Sequence, residues 1–314
     1  MNDRIDMDWR AMLALVRPLN LVFIGLTQYL LFFHFLFPVF HATGAPILLP
    51  GWMAVLFLSS TILLTAGGYA MNDLMDIETD RINKPGKWLV GNRVSRKTAV
   101  IFSSILFLLG AGAAGWIALA IGKPHLWFIY PGAALSLWAY SRFFKALPLA
   151  GNLLVAALCS LVGGIVWFAE MEGIGFLWTA DPLKAQRVWY ALVFYLYFAF
   201  TATLFREIVK DCEDVEGDTA AALRTLPARF GVQTAVRLAY VTGILLWLSL
   251  LALAWYFFTI KEPAGVAFSI GFLFLPLTFA LVLLGRAKNP QQFRKISLIA
   301  KVVIFAGVFV VLFF

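Results

Sequence analysis

Two acidic stretches of this chain each carry three aspartates at the same spacing, i, i+3 and i+7. They are Asp73, Asp76 and Asp80, followed by Asp211, Asp214 and Asp218. On an α-helix with 3.6 residues per turn, this spacing places the three carboxylates in one narrow stripe. Carboxylates this close together ionise fully only when a cation lies among them. The two triplets therefore predict a site for a polyvalent metal ion.

The kind of metal follows from the ligands. Magnesium prefers a few carboxylates completed by phosphate oxygens to a full protein cage. Two facing acidic stripes would supply such an incomplete shell, so we predict an enzyme that binds Mg²⁺ and a diphosphate. Asn72 adds a neutral oxygen ligand beside the first triplet. The predicted metal ligands are Asn72, Asp73, Asp76, Asp80, Asp211, Asp214 and Asp218, and the predicted catalytic residues among them are Asp73, Asp76, Asp211 and Asp214.

Basic and polar side chains near the triplets are candidates for holding the substrate. Lys210 occupies the place in the second stretch that Asn72 occupies in the first, and an ammonium there can hold a phosphate directly. The full set of predicted substrate-binding residues is Asn72, Arg81, Lys84, Arg93, Tyr140, Lys145 and Lys210.

The composition indicates a membrane protein. Of the 314 residues, 62% are hydrophobic and only 13% are charged, which is too much apolar surface for a water-soluble core. The net charge of +8 is spread through short loops rather than gathered on one domain. Topology signals and contacts with lipid headgroups account for that pattern better than nucleic acid does. We predict membrane lipids as partners and no nucleic acid.

Nine apolar runs are long enough to cross a hydrocarbon core about 30 Å thick. They lie near 13–37, 51–71, 98–121, 124–141, 149–169, 188–209, 234–258, 264–285 and 296–314. We therefore predict an all-α bundle of about nine transmembrane helices that forms a single membrane-embedded domain over residues 1–314.

The Lys and Arg residues orient these spans, because cytoplasmic loops collect positive charge. With the N-terminus inside, most of the 25 Lys and Arg residues fall in inside segments. The outside segments hold only Lys123, Lys184, Arg187 and Lys261. This predicts a multi-pass protein of the cell (inner) membrane, with the N-terminus and both acidic motifs in the cytoplasm.

The residues resemble the UbiA superfamily of intramembrane prenyltransferases, which is marked by NDxxDxxxD and a later acidic motif. The resemblance extends through the segments IETDRINKP, REIVKDCEDVEGD and TLPARFG. Within the superfamily, Arg17-Pro18-Leu19-Asn20 and Pro148-Leu149-Ala150-Gly151-Asn152 look most similar to the digeranylgeranylglyceryl phosphate synthase branch. After Asn83-Lys84-Pro85, the chain departs from the common pattern with Lys87-Trp88 and Gly91-Asn92, in a loop expected near the acceptor.

The resemblance implies a Mg²⁺-dependent transfer of a prenyl group from a polyprenyl diphosphate, with geranylgeranyl diphosphate as the expected donor. The acceptor it implies is lipidic, namely the hydroxyl of a geranylgeranylglyceryl phosphate-type ether lipid. It further implies that both motifs hold the diphosphate through Mg²⁺ and that the prenyl tail lies in a cavity open to lipid.

Three alternatives compete with this interpretation. One is an aromatic prenyltransferase of the same superfamily, with a hydroxybenzoate, naphthoate or tetrapyrrole acceptor. A cation-coupled transporter is a second, but it would place acids near the middle of the spans, whereas these lie at helix ends on one side. A CDP-alcohol phosphotransferase is the third, and the Asp-Gly-xx-Ala-Arg element that it requires is absent.

Overall fold

A computed structural model describes residues 8–83 and 86–314 of the chain. Within those residues the protein is helical, and its only β interaction is an isolated bridge between Val90 and Val94. The predicted all-α class is confirmed.

Thirteen helices organise the described residues. In chain order they are α1 (Trp9–Leu15), α2 (Pro18–Thr43), α3 (Trp52–Met75), α4 (Ile77–Asn83), α5 (Arg96–Ala120), α6 (Ile129–Arg142), α7 (Ala150–Ala169), α8 (Met171–Ala180), α9 (Pro182–Ala220), α10 (Leu226–Phe230), α11 (Val232–Thr259), α12 (Pro263–Leu284) and α13 (Pro290–Phe313). Helices α2 and α12 each contain a π-helical turn, at Leu30–Leu36 and Ser269–Phe274.

Eight of the described helices are long and apolar enough to cross a membrane, which makes this a multi-pass membrane protein. They correspond to eight of the nine predicted runs. The remaining run, near 124–141, divides into a 3₁₀ turn at Pro124–Phe128 and the 14-residue helix α6. At 1.5 Å per residue α6 is about 21 Å long, which is shorter than the hydrocarbon core. Pro131, in the first turn of α6, has no backbone N–H to donate to the carbonyl four residues earlier, so one continuous α-helix does not form there.

Helix α9 is the central element of the bundle. It packs against α7, α11 and α13 and contributes side chains to both large hydrophobic clusters. Two glycines allow the close contact. A Cβ at Gly163 of α7 would lie 2.2 Å from the Tyr195 ring, and one at Gly307 of α13 would lie 2.0 Å from the Phe198 ring. A larger residue at either position would require the Tyr195 or Phe198 ring of α9 to move.

The N-terminal helix α1 covers the bundle at the end where α3 finishes. Ala11 and Leu15 pack with Ala70, Val90 and Val94 in a small buried cluster. Because α3 carries the first acidic stretch at its last turn, α1 and the loop before α5 lie at the same end of the molecule as that stretch.

The opposite end of the bundle is fastened by a buried carboxylate. Glu170, directly after α7, is 0% exposed and accepts hydrogen bonds from the backbone N–H groups of Leu48 (3.0 Å) and Leu49 (2.9 Å). Burial raises the pKa of this carboxyl to about 7, although the two N–H groups act in the other direction. Nearby, Lys123 forms an ion pair with Glu172.

Candidate functional site

The first acidic motif spans a break between two helices. Helix α3 ends at Met75, Asp76 occupies its C-cap, and α4 starts at Ile77. The Asp76 carboxylate accepts a hydrogen bond from the amide of Asn72 at 2.7 Å. The prediction that this triplet lies along one helix is therefore wrong, because the helix is interrupted at Asp76, and Asp73 and Asp80 lie on different helices. The triplet still faces one end of the bundle.

Asp73 is buried and bound to a residue far away in sequence. Arg17 Nη2 lies 2.6 Å from Asp73 Oδ1, and the guanidinium stacks 4.8 Å from the centre of the Tyr69 ring. Burial opposes the charge, but the attraction of Asp73 outweighs it and raises the pKa of Arg17 above its ordinary value. Arg17 has a left-handed backbone (φ 52°) directly before Pro18, so the chain turns into α2 at a strained residue that contacts the motif.

Asp76 binds a second cation. Lys145 Nζ lies 2.5 Å from Asp76 Oδ2. Lys145 belongs to the short turn Phe144–Ala146 between α6 and α7, and its charge also acts on Asp218 of the second motif. Tyr140, at the end of α6, is within electrostatic reach of Asp76 and Asp211. Lys145 and Tyr140 therefore lie between the two motifs.

The second motif lies on one uninterrupted helix, as predicted. All three of its aspartates belong to α9. Asp211 Oδ2 accepts a hydrogen bond from the amide of Asn152 at 2.9 Å, and Asp214 Oδ2 lies 2.9 Å from Lys210 Nζ one turn earlier. Asp218 is buried, with 5% of its surface exposed. Glu216 is exposed, on the face away from the aspartates.

The two motifs meet because α4 packs against α9. Within the residues that the structure describes, no group of three His, Cys, Asp or Glu side chains is close enough to hold a metal ion alone. The carboxylates instead lie opposite cations and amides. This donor set fits Mg²⁺, since hard carboxylate oxygens are its preferred protein ligands and it takes only one or two of them alongside phosphate oxygens. Both buried carboxylates of the first motif already attract a positive charge.

Some predicted residues lie away from this centre or are not described. Arg93 donates to Asp8 of the N-terminal segment instead, with Nε 3.0 Å from Asp8 Oδ2. Arg81 is exposed on α4, and Asp80 is partly buried on the same helix. Lys84 lies outside the described residues.

The structure adds four polar residues that the motif pattern did not select as site residues. Arg17 and Asn152 were noted only as marks of a family branch, and Arg206 and Glu207 were not singled out. Glu207 acts electrostatically on Tyr69, Tyr140 and Asp211 and is bound to Arg206. A sequence signal for this pair exists, because both lie inside the predicted span 188–209, and charges at membrane depth are kept mainly for function.

A bundle of membrane helices with two facing acidic motifs at one end defines a class of enzyme. The sequence matches the UbiA prenyltransferase family model over residues 23–302, and the chain belongs to that family. It is a prenyltransferase embedded in the membrane.

Relatives give a finer comparison. The chain is 31% identical over 252 residues to digeranylgeranylglyceryl phosphate synthase of Sulfurisphaera tokodaii, which covers 78% of this chain and 81% of the relative. It is 29% identical over 308 residues to the enzyme of that name from Thermococcus gammatolerans, covering 96% and 97%.

Solved structures share the fold. A structure of digeranylgeranylglyceryl phosphate synthase superposes with a TM-score of 0.61 at 22% identity, over 97% of this chain and 98% of the other. A UbiA homolog from Archaeoglobus fulgidus, bound to DMAPP and Mg²⁺, superposes with a TM-score of 0.57 at 19% identity, over 96% and 98%.

Proposed function

We propose that this prenyltransferase moves a geranylgeranyl group from its diphosphate to the hydroxyl of a geranylgeranylglyceryl phosphate-type ether lipid, acting as one membrane-embedded domain. The observation that carries the proposal is the position of Lys145, which binds Asp76 of the first motif and acts on Asp218 of the second. A cation between two acidic motifs is suited to a diphosphate held from both sides. The relatives named digeranylgeranylglyceryl phosphate synthase support the lipid acceptor.

In this proposal Asp73, Asp76, Asp211 and Asp214 hold Mg²⁺, with Asn72, Asp80 and Asp218 beside them. Bound Mg²⁺ would neutralise charge on the departing diphosphate. Lys145 and Lys210 would contact phosphate oxygens, and their ammonium groups would stabilise the same developing charge. The cytoplasmic placement of the N-terminus and of both motifs remains part of the proposal, and so does the inner-membrane location.

The chemical step breaks the bond between C1 of the prenyl chain and the diphosphate oxygen. The acceptor oxygen forms a new ether bond to C1, and its proton passes to a site carboxylate or to the released diphosphate. The ring of Tyr140, within electrostatic reach of Asp76 and Asp211, would stabilise positive charge on the allylic carbon. The apolar spans exclude the water that would otherwise capture this carbon.

The test is a panel of acceptors with purified protein in lipid nanodiscs. Labelled geranylgeranyl diphosphate and Mg²⁺ are supplied with the ether lipid phosphate, a hydroxybenzoate or a naphthoate, and the products are identified by mass spectrometry. We expect the ether product alone, with loss of activity in EDTA and recovery on adding Mg²⁺. A prenylated aromatic product without the ether lipid would overturn the proposed acceptor.

A further inference from the structure

Two arginines lie within electrostatic reach of Lys301, a lysine on α13. Arg17 directly precedes α2, Arg206 lies on α9, and Lys301 lies on α13. The charges of Arg206 and Arg17 both act on the Lys301 ammonium, and α13 packs against both α2 and α9. This cationic cluster adjoins the acidic motifs, since Arg17 binds Asp73 and the charge of Arg206 also acts on Lys210.

Lys301 lies well inside a membrane-spanning helix and faces the protein. At 1.5 Å per residue it is roughly 17 Å from the start of α13 at Pro290. Its ammonium lies 5.9 Å from the centre of the Phe23 ring on α2, and Phe23 also stacks on Phe305 with ring centres 4.4 Å apart. The side chain of Lys301 therefore extends from α13 towards α2. In the described part of the chain no carboxylate pairs with it.

Arg206 also has unused hydrogen-bonding capacity. Its Nη1 binds the neighbouring Glu207, but its Nε is buried and has no acceptor among the described residues. A buried guanidinium N–H without a partner is unfavourable, so the side chain is arranged for an acceptor that the protein itself does not provide.

The charges of the cluster do not balance. Arg17 pairs with Asp73 and Arg206 with Glu207, whereas Lys301 has no ion pair among the described residues, which leaves its positive charge unpaired at membrane depth. Charges there are kept mainly where they meet an ion or a substrate. Further along the same three helices lies a small apolar crevice of about 10 Å³, lined by Leu31, Phe194, Phe198 and Gly307. Apolar helix surface beyond a cationic cluster suits an amphiphile with one acidic headgroup, whose chain lies along the helices and not inside the crevice.

We propose that Arg17, Arg206 and Lys301 bind the phosphate of the lipid acceptor while its hydrocarbon chain lies along α2, α9 and α13, an inference that rests on the function proposed above. The donor diphosphate then occupies the acidic motifs and Lys145, so the two anionic groups have separate sites. Arg17 contacts Asp73 and belongs to the cluster, so it joins the two sites. Lys301 is a specificity residue for a phosphorylated acceptor.

The experiment compares Lys301→Gln with Lys301→Arg and with Lys295→Gln, a matched control on the exposed face of α13. For Lys301→Gln we expect the KM for geranylgeranylglyceryl phosphate to rise at least about tenfold, because a charge-assisted contact with phosphate is lost. The KM for geranylgeranyl diphosphate should stay the same. Lys301→Arg should restore most of the acceptor affinity, and Lys295→Gln should behave as the unsubstituted protein.

A binding measurement separates this inference from the proposed function. Geranylgeranylglyceryl phosphate and its dephosphorylated alcohol are titrated into folded protein without donor or Mg²⁺. We expect tighter binding of the phosphate by the unsubstituted protein and equal binding of both lipids by Lys301→Gln. If the ether product forms but Lys301→Gln keeps both the KM and the phosphate preference, the cationic cluster is not the acceptor site and the proposed function stands. If no ether product forms but binding still prefers the phosphate in a way that depends on Lys301, the cationic cluster is supported as a phosphate site. If neither the ether product nor this preference is found, both the proposed function and the acceptor site are overturned.

Discussion

Buried carboxylates at the two ends of the bundle have different kinds of partner. At the motif end, Asp73 and Asp76 each lie against a cationic side chain from elsewhere in the chain, Arg17 and Lys145. At the other end, Glu170 is bound by two backbone N–H groups that belong to the connection between α2 and α3. An ion pair can exchange its cation for a metal ion or rearrange around a substrate, whereas backbone donors cannot leave. The comparison suggests that motif carboxylates serve turnover and that Glu170 serves stability.

The two motifs also differ from each other. The first spans a helix break and binds distant residues, while the second lies on a continuous helix, where Asp214 binds Lys210 one turn away. Because of the break, Asp73 and Asp80 lie on two helices, whereas Asp211 and Asp214 share one continuous helix. We therefore expect the first motif to adjust to the ligand and the second to provide a fixed surface.

The largest expected effect is on the motif carboxylates. Asp73→Asn and Asp211→Asn keep side-chain size but remove a charge, so each should lower prenyl transfer by at least about a thousandfold, as loss of key transition-state electrostatics does. Thermal unfolding in detergent should change little for Asp211→Asn, whereas Asp73→Asn also loses the ion pair with Arg17 and should unfold at a lower temperature. Glu216→Gln, at an exposed position on the same helix as Asp211, is the control. Full activity in either aspartate variant would show that the motif containing that aspartate does not belong to the active site.

A smaller effect distinguishes the two lysines. Lys145→Met removes the cation between the motifs, and we expect a loss of about a hundredfold in kcat/KM for the donor. Lys210→Met should lose about tenfold, because Lys210 is more exposed and is bound within its own helix. Steady-state kinetics in nanodiscs measures both, with Lys288→Met as the surface control. Equal losses would contradict the bridging position of Lys145.

The smallest effect on activity is expected at Glu170, where stability should change instead. Its pKa is about 7 in the folded protein and 4.5 as an ordinary carboxyl, so the folded state holds the proton more tightly. The contribution of Glu170 to the free energy of unfolding is then greatest below pH 4.5 and falls by about 3 kcal/mol as the pH rises to 7, where the buried carboxyl ionises.

Glu170→Gln cannot ionise, so its thermal unfolding should depend less on pH between 5 and 8, with prenyl transfer unchanged. Glu172→Gln is the control, since that carboxylate is half-exposed and pairs with Lys123. A pH dependence that persists in Glu170→Gln would show that another group titrates in this range.

Much of this architecture follows from local sequence. Apolar runs about 20 residues long predicted eight spans correctly because length and hydropathy are local properties. The same holds for the stripe on α9, where all three aspartates lie within one helix. The break at Asp76 could not be predicted, since it involves Lys145 from a turn 69 residues away. Arg17 is likewise 56 residues from Asp73. Such pairings depend on how the helices assemble, which local patterns do not record.

Gly163 and Gly307, which pack against α9, affect the position of a helix that also carries the second acidic motif. Tyr195 and Phe198 fit against α7 and α13 because Gly163 and Gly307 lack side chains. Since α9 is one unbroken helix of 39 residues, a shift at Tyr195 would be transmitted along its axis to Asp211, roughly 24 Å away. A methyl group added at Gly163 or Gly307 would meet these rings, and any displacement of α9 that follows would change the distance between the triplets without involving a charged residue.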